Sequence, residues 1–531
     1  RIEELAWQAQ PAALQMLDQV LEALSAGDLE AARLPALRLE NVLKITPMFR
    51  ESLRERRIAS LSAPHLVRQT RFLLPVWSWS RPGRWKLTAG ATLYDLLSYD
   101  RNREAPDELR IGRHRWLGRV ATSVAVPWLE PDELLGAVTV TDTLNVHPER
   151  LLLEFALDAV GAGAVLCTHT RVTGFLTDEV AKVATGGEVG TDVSTGAGSD
   201  SARRGDPAQR VTGVRVRDEL TGVERTVRAA AVVNAAGPWI GEVLASLGRR
   251  VGPSVAPSKG VHLLTRDLAE LGGPELAGVT DAVMARARNG RHVVVSPWQG
   301  RSFIGPTDTP VPVPPDEVDA SPDDVDALLD IVNSCRAERF RLHADDVDDV
   351  TVGIRPLVSD GSEGGDTYRT SRRHTVIDHA SDGVAGLWSV AGGKWTTGRA
   401  IAEDVCDRVI GRGDGRSATR RRAVPGAGEW AAPPSDLLAS AARAAVSLGT
   451  PVDIDALTAE HLSRLYGRRV ADVVQLMAEH PELCRRVSDR PGRLDVLAQV
   501  VVAVRDEWAR TLSDIVDRRR VIGTLGPVTA A

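Results

Sequence analysis

SVAGGKWTTGRA, residues 389–400, sets a short apolar run against two glycines, a lysine and two threonines. Leu387–Val390 predicts a buried strand ending at Ala391-Gly392-Gly393, and Trp395–Ile410 predicts the helix that follows. A strand, a glycine turn and a helix N-terminus together make a turn suited to anions or dipoles. Lys394 puts a cation in that turn, and Thr396 and Thr397 add hydroxyls and first-turn amides. A plain threonine-capped helix start is the alternative. The lysine argues for more, because only five of the 65 basic residues are lysine (Lys44, Lys86, Lys182, Lys259 and Lys394) and 60 are arginine.

Upstream, VVNAAGPW (232–239) repeats the pattern. Ala230–Val233 predicts a buried strand that runs into small residues, including Ala236 and Gly237, which let the main chain approach a bulky planar ligand. An ordinary strand-to-helix turn is the equal alternative. Before it, Val211–Val216 and Val223–Val227 predict two strands joined by a turn at Asp218–Gly222. Val293–Pro297 and Ser302–Gly305 predict another pair, and Pro310–Pro322 a proline-rich loop.

A dispersed group completes the candidates: PSKGVHLL (257–264), GPTDTP (305–310) and GIRPLVSD (353–360). Lys259, His262 and Arg355 converge only if the fold brings them together. A lone histidine is more often structural than catalytic. An arginine set beside a proline in an apolar stretch needs an anionic partner, which a phosphate or carboxylate supplies bidentately.

The rest of the chain divides around these motifs. Residues 1–46 read as helical and 49–62 as a charged helix whose arginines and glutamates form a solvated face. Trp77, Trp79, Trp85 and Tyr94 read as core or as a lipid-facing surface. Leu151–Val160 predicts a helix, Ala164–Thr170 a strand, and residues 186–205 a flexible insertion. The expected units are 1–46, 47–410 (two interleaved domains), a linker at 411–435 and a helical domain at 436–531. The 531 residues suffice for several domains, and a net charge of −6 argues against a nucleic-acid partner. Four scattered cysteines without a C-x-x-C pair favour a reducing cytosol over disulfides or zinc. No apolar run is long enough to span a membrane, and the charged first residues do not read as a signal peptide.

In order, APHLVRQTRFLLP, VVNAAGPW, SKGVHL, GPTDT, GIRPLVSD, SVAGGKWTTGRA and VRDEWARTLSDIVDRR resemble the FAD-dependent glycerol-3-phosphate dehydrogenases, over roughly residues 49–525. The resemblance implies an α/β (α+β) fold: a glutathione-reductase-like FAD domain, a mixed-sheet substrate domain and a C-terminal helical domain. It implies hydride transfer from C2 of glycerol 3-phosphate to FAD, giving dihydroxyacetone phosphate, with electrons passed to quinone on the inner face of the cell membrane. By position, Arg355 and Arg372 would hold the phosphate, His262 would sit near the reacting carbon as a proton acceptor, and Lys394 would lie by the flavin and substrate. Gly392, Gly393, Thr396 and Thr397 would contact the flavin, and Ala236 and Gly237 would line the dinucleotide groove.

One family element is missing. No G-x-G-x-x-G follows a strand anywhere in the chain, so the FAD domain is expected to be incomplete at its N-terminus. A truncated or mis-started product, a degenerate member without flavin, and a separate chain supplying the βαβ unit all account for this. Gly398 also replaces the family's usual tyrosine, and Pro306 interrupts its G-T-T-D. Two other functions stay open: a flavin oxidase of another small hydroxy or amino acid, and a non-catalytic family member.

Overall fold

The computed structural model describes residues 49–179, 209–248, 252, 255–268, 281–311, 313–358, 374–411, 417–449, 452–488, 493–520 and 523. The expected helical segment 1–46 and the insertion 186–205 lie outside the described residues.

The largest sheet has nine described strands. At its centre β1 (Val67–Trp77) pairs antiparallel with β3 (Leu134–Asn145) along its whole length, and β2 (Arg115–Gly118) extends that edge. On its other side β1 runs parallel to β9 (Ala282–Arg286), which makes the sheet mixed. The pair predicted from sequence forms as β10 (His292–Trp298) and β11 (Arg301–Gly305). Beyond them β8 (Val255–Arg266) pairs with β13 (Val347–Val358), with Arg355 opposite Ser258 and Thr351 opposite His262; β12 (Thr309–Pro310) also pairs with β8.

One face of this sheet packs on the helix Pro322–Asn333. The S-P-D-D start of that helix explains itself: Ser321 and Asp324 form a capping box around Pro322. Val261 and Leu263 share a core with Leu328 and Val332 of the helix. Truncating a wholly buried leucine such as Leu328 costs about 2–5 kcal/mol.

A second sheet runs β14 (Thr375–Asp378), β16 (Leu387–Ala391), β7 (Val232–Asn234), with β16 and β7 parallel. The β7 strand, expected to be buried, is instead an edge among the described residues, and Val233 is exposed. A third sheet contains β4 (Thr170–Glu179), β5 (Gln209–Asp218), β6 (Glu224–Arg228) and β15 (Val384–Ala385). Ile240, Leu244, Leu387 and Val211 form the core between these two small sheets. The strand expected over 164–170 begins only at Thr170.

The C-terminal region is helical, as expected, with Ser440–Leu448, Ala456–Tyr466, Val470–Glu479 and Leu497–Asp506 packed around Tyr466, Val470 and Val474. Residues 417–435 run along the body of the protein. Val424 and Ala427 are buried against Ala63, Leu66 and Leu151, and the Val424 N–H donates to the Ser62 carbonyl.

One surface expectation is corrected and another is divided. The helix at 49–62 does not carry a solvated charged face: Glu55 is 3% exposed and paired with Arg399, and Arg50 pairs with Asp100. The tryptophans read together as core or lipid-facing surface divide: Trp77 is 1% exposed and stacks on Trp79 at 5.2 Å, whereas Trp85 is 77% exposed.

Candidate active site

Two parallel strand ends build the first half of the site. At the end of β16, Gly392 and Gly393 take φ of +70° and +93°, which side chains other than glycine rarely adopt. A Cβ on Gly393 would also lie 2.6 Å from Ile401 Cδ1. The chain then passes through Lys394, in extended conformation, into a single tight turn at Trp395–Thr397; the α-helix starts only at Gly398 and ends at Val409. Thr397 is buried and spends its hydroxyl on the Lys394 carbonyl at 3.0 Å, while Thr396 is exposed.

Beside it, β7 ends at Asn234. The side chain of Asn234 accepts from the Ala236 N–H at 3.2 Å and donates to the Ile240 carbonyl at 3.1 Å, pinning the turn. Gly237 follows with φ +57°, and a Cβ there would meet nothing within 4 Å. Bare glycine backbone at the carboxyl ends of neighbouring parallel strands is where an open α/β sheet receives its ligand. From behind, His379 braces β16: Nε2 meets Ser389 Oγ at 2.7 Å and Nδ1 meets Asp382 Oδ2 at 2.8 Å. The trio has the composition of a hydrolytic triad, but Ser389 is wholly buried within the sheet and has no access to substrate.

The second half comes from β8 and β13, and β13 packs against both β16 and the Gly237–Trp239 turn. Alternation along β8 puts Ser258, Gly260 and His262 on one face and Lys259, Val261 and Leu263 on the other. Arg355, opposite Ser258, shares the His262 face. Its guanidinium donates to the Thr307 carbonyl at 3.0 Å and to the Lys259 carbonyl and Asp308 Oδ1 at 3.4 Å each. His262 stacks on Phe303 with centroids 4.7 Å apart. Burial, aided by the charge of Arg355, pushes its imidazole down to about 4.

The fold therefore gathers Arg355 and His262 on one face, and sets Ala236, Gly237, Gly392 and Gly393 at adjacent strand ends. Lys394 opens the turn that follows. Lys259 does not join them. It is buried on the opposite face, where Nζ binds Asp324 Oδ2 at 2.6 Å and the Asp319 carbonyl at 3.1 Å. Arg372 lies outside the described residues. Asp308, Ser258 and Gly260 escaped notice as site residues, although GPTDTP and PSKGVHLL contain them.

The glycine turns fit the ring end of a flavin dinucleotide, since they leave main chain bare where a flat group must approach. Among the described residues no G-x-G-x-x-G links a strand to a helix.

The family described as "FAD dependent oxidoreductase" matches residues 6–209 and 207–408, and the "C-terminal domain of alpha-glycerophosphate oxidase" matches 417–530. The first match begins at residue 6, ahead of residue 49, where the resemblance read from the motifs starts. Over 491 residues the chain is 32% identical to a glycerol-3-phosphate dehydrogenase of Synechocystis sp., covering 90% of this chain and 78% of that one. Over 479 residues it is 32% identical to the glycerol-3-phosphate dehydrogenase of Mycobacterium leprae, covering 89% and 70%. Among solved structures, the glycerol-3-phosphate dehydrogenase from Bacillus halodurans complexed with FAD is similar with a TM-score of 0.63 and 26% identity, over 88% of this chain and 75% of that one. With both family matches and these relatives spanning nearly all of it, the chain belongs to the FAD-dependent glycerol-3-phosphate dehydrogenase family.

Proposed function

We propose that this chain oxidises sn-glycerol 3-phosphate to dihydroxyacetone phosphate. The observation that carries the proposal is that Arg355 on β13 and His262 on β8 share one face of the sheet, with β13 packed against the Gly237–Trp239 turn. When bound, FAD supplies the acceptor for the hydride leaving C2.

Arg355 takes the substrate phosphate, with Arg372 as a second cation for the same group. His262 is neutral at pH 7, so it has a lone pair for the C2 hydroxyl proton. Its low basicity follows from burial and from the nearby Arg355 charge. A bound phosphate dianion offsets that charge and raises the basicity of His262 when a proton must be taken. Lys394 opens the turn after Gly393, where an ammonium polarises the hydroxyl or balances negative charge gained on reduction.

The onward acceptor is a quinone, reached from the inner face of the cell membrane. Trp85, exposed beside Arg84 and Lys86 on the helix Arg84–Leu97, suits such a surface. No described helix is long and apolar enough to cross a membrane.

Turnover of the flavin-loaded protein with glycerol 3-phosphate, compared with small 2-hydroxy and amino acids, tests the substrate. Preference for the phosphorylated compound is expected. Preference for a carboxylate would make the chain an oxidase of another small acid, and no turnover of any of them would leave a non-catalytic member.

A further inference from the structure

We infer that Asp308 is the positioning residue of the anion-binding arginine, with Gly260 as the seat that its guanidinium rests on. This rests on the reading of Arg355 as the phosphate holder. An unanchored guanidinium samples many rotamers, and fixing it at the moment of binding weakens the complex. Arg355 is already fixed. Three acceptors surround it: the carbonyls of Thr307 and Lys259 and the carboxylate of Asp308.

The carboxylate is itself held. Ser258 Oγ donates to the same Asp308 oxygen that Arg355 reaches, and the Asp308 side chain is 8% exposed. Ser258 is the cross-strand partner of Arg355, so one strand pair carries both the arginine and the hydroxyl that orients its acid. Thr307 also binds inward, its hydroxyl accepting from the Val261 N–H at 2.9 Å, which fixes the segment bearing Asp308 on β8.

Gly260 supplies the remaining wall. A Cβ there would fall 2.5 Å from Arg355 Nη2 and 2.9 Å from Nη1. A side chain there would force the guanidinium to shift from this position. The acid also supplies a counter-charge for a partly buried cation.

The test uses the flavin-loaded protein and the variants Asp308→Asn, Gly260→Ala and Arg355→Ala, with inorganic phosphate as a competitive probe. Asp308→Asn keeps the shape and a partner for Ser258 but removes the charge. It is expected to raise KM for glycerol 3-phosphate and the phosphate inhibition constant together, each about tenfold, with kcat and flavin content unchanged. Gly260→Ala is expected to split KM from kcat in the same way.

The double variant Asp308→Asn with Arg355→Ala is expected to be no worse than Arg355→Ala alone, because the acid acts through the arginine. Additive losses, or a fall in kcat at unchanged KM, would overturn the inference. If Arg355→Ala itself leaves KM and phosphate inhibition unchanged, the reading of Arg355 fails, and the positioning role fails with it. If Arg355→Ala weakens binding but both other variants bind normally, only the positioning role is lost.

Discussion

Glu55 and Arg399 meet through two hydrogen bonds, Nη2 to Oε1 at 2.6 Å and Nε to Oε2 at 2.7 Å. The pair joins residues 49–62 to the helix that leaves the Gly392-Gly393 turn, and Glu403 and Thr419 extend it through Arg399 Nη1. Removing Glu55 takes away the bidentate acid but leaves Arg399 its Glu403 contact, so the loss is smaller than for a fully stranded buried charge. Glu55→Ala is therefore predicted to lower the denaturation midpoint and loosen flavin retention, whereas Glu55→Gln should lose less. A midpoint equal to that of the parent protein would show that the pair contributes little.

The glycine turn makes a sharper prediction. Gly393→Ala places a methyl against Ile401 at a backbone angle that alanine avoids. Bound flavin per polypeptide, read from visible absorbance after purification, should fall markedly. Gly398→Ala sits in a helix with open space around it and should retain flavin. Equal flavin content in both variants would detach Gly393 from the cofactor.

Acid should destabilise the protein through its buried histidines. Burial holds His65 and His147 at about 3 and His262 at about 4, below their ordinary value of 6.5. The unfolded chain takes up these protons below about pH 6.5 while the folded chain refuses them, so stability falls from there toward about pH 4 and is unaffected at neutral pH. His65 has no hydrogen-bond partner at either ring nitrogen among the described residues. His65→Leu should flatten the decline, seen by comparing unfolding midpoints at about pH 7 and about pH 5. An unchanged slope would mean that other groups set the acid limit.

Arg355 and Lys394 should separate kinetically. Losing a charge-assisted phosphate contact costs about 1.5–3 kcal/mol, so Arg355→Ala should raise KM about ten- to a hundredfold. Lys394→Ala should instead slow flavin reduction at saturating substrate. Unchanged kinetics in both would remove the site assignment.

What the sequence revealed about this site follows from the range of each interaction. The glycine turns were legible because a left-handed backbone angle is a local demand that glycine meets. The hairpin at 292–305 was legible for the same local reason. Lys259 was misgrouped with His262 and Arg355, yet the information was present. Residues three apart on a strand face opposite ways, so recognising β8 as a strand would have separated Lys259 from His262. The Glu55–Arg399 pair spans 344 residues and leaves no local trace, which is why the 49–62 helix looked merely solvated. Asp308 lay inside a quoted motif, but its role depends on the register that sets Ser258 opposite Arg355.

The most direct test of the proposed activity is anaerobic mixing of the flavin-loaded protein with glycerol 3-phosphate while visible flavin absorbance is followed. Bleaching that saturates with substrate, and that requires far more substrate in Arg355→Ala, is the predicted result. A flavin that keeps its colour with glycerol 3-phosphate, or that bleaches only with small carboxylic acids, would contradict it.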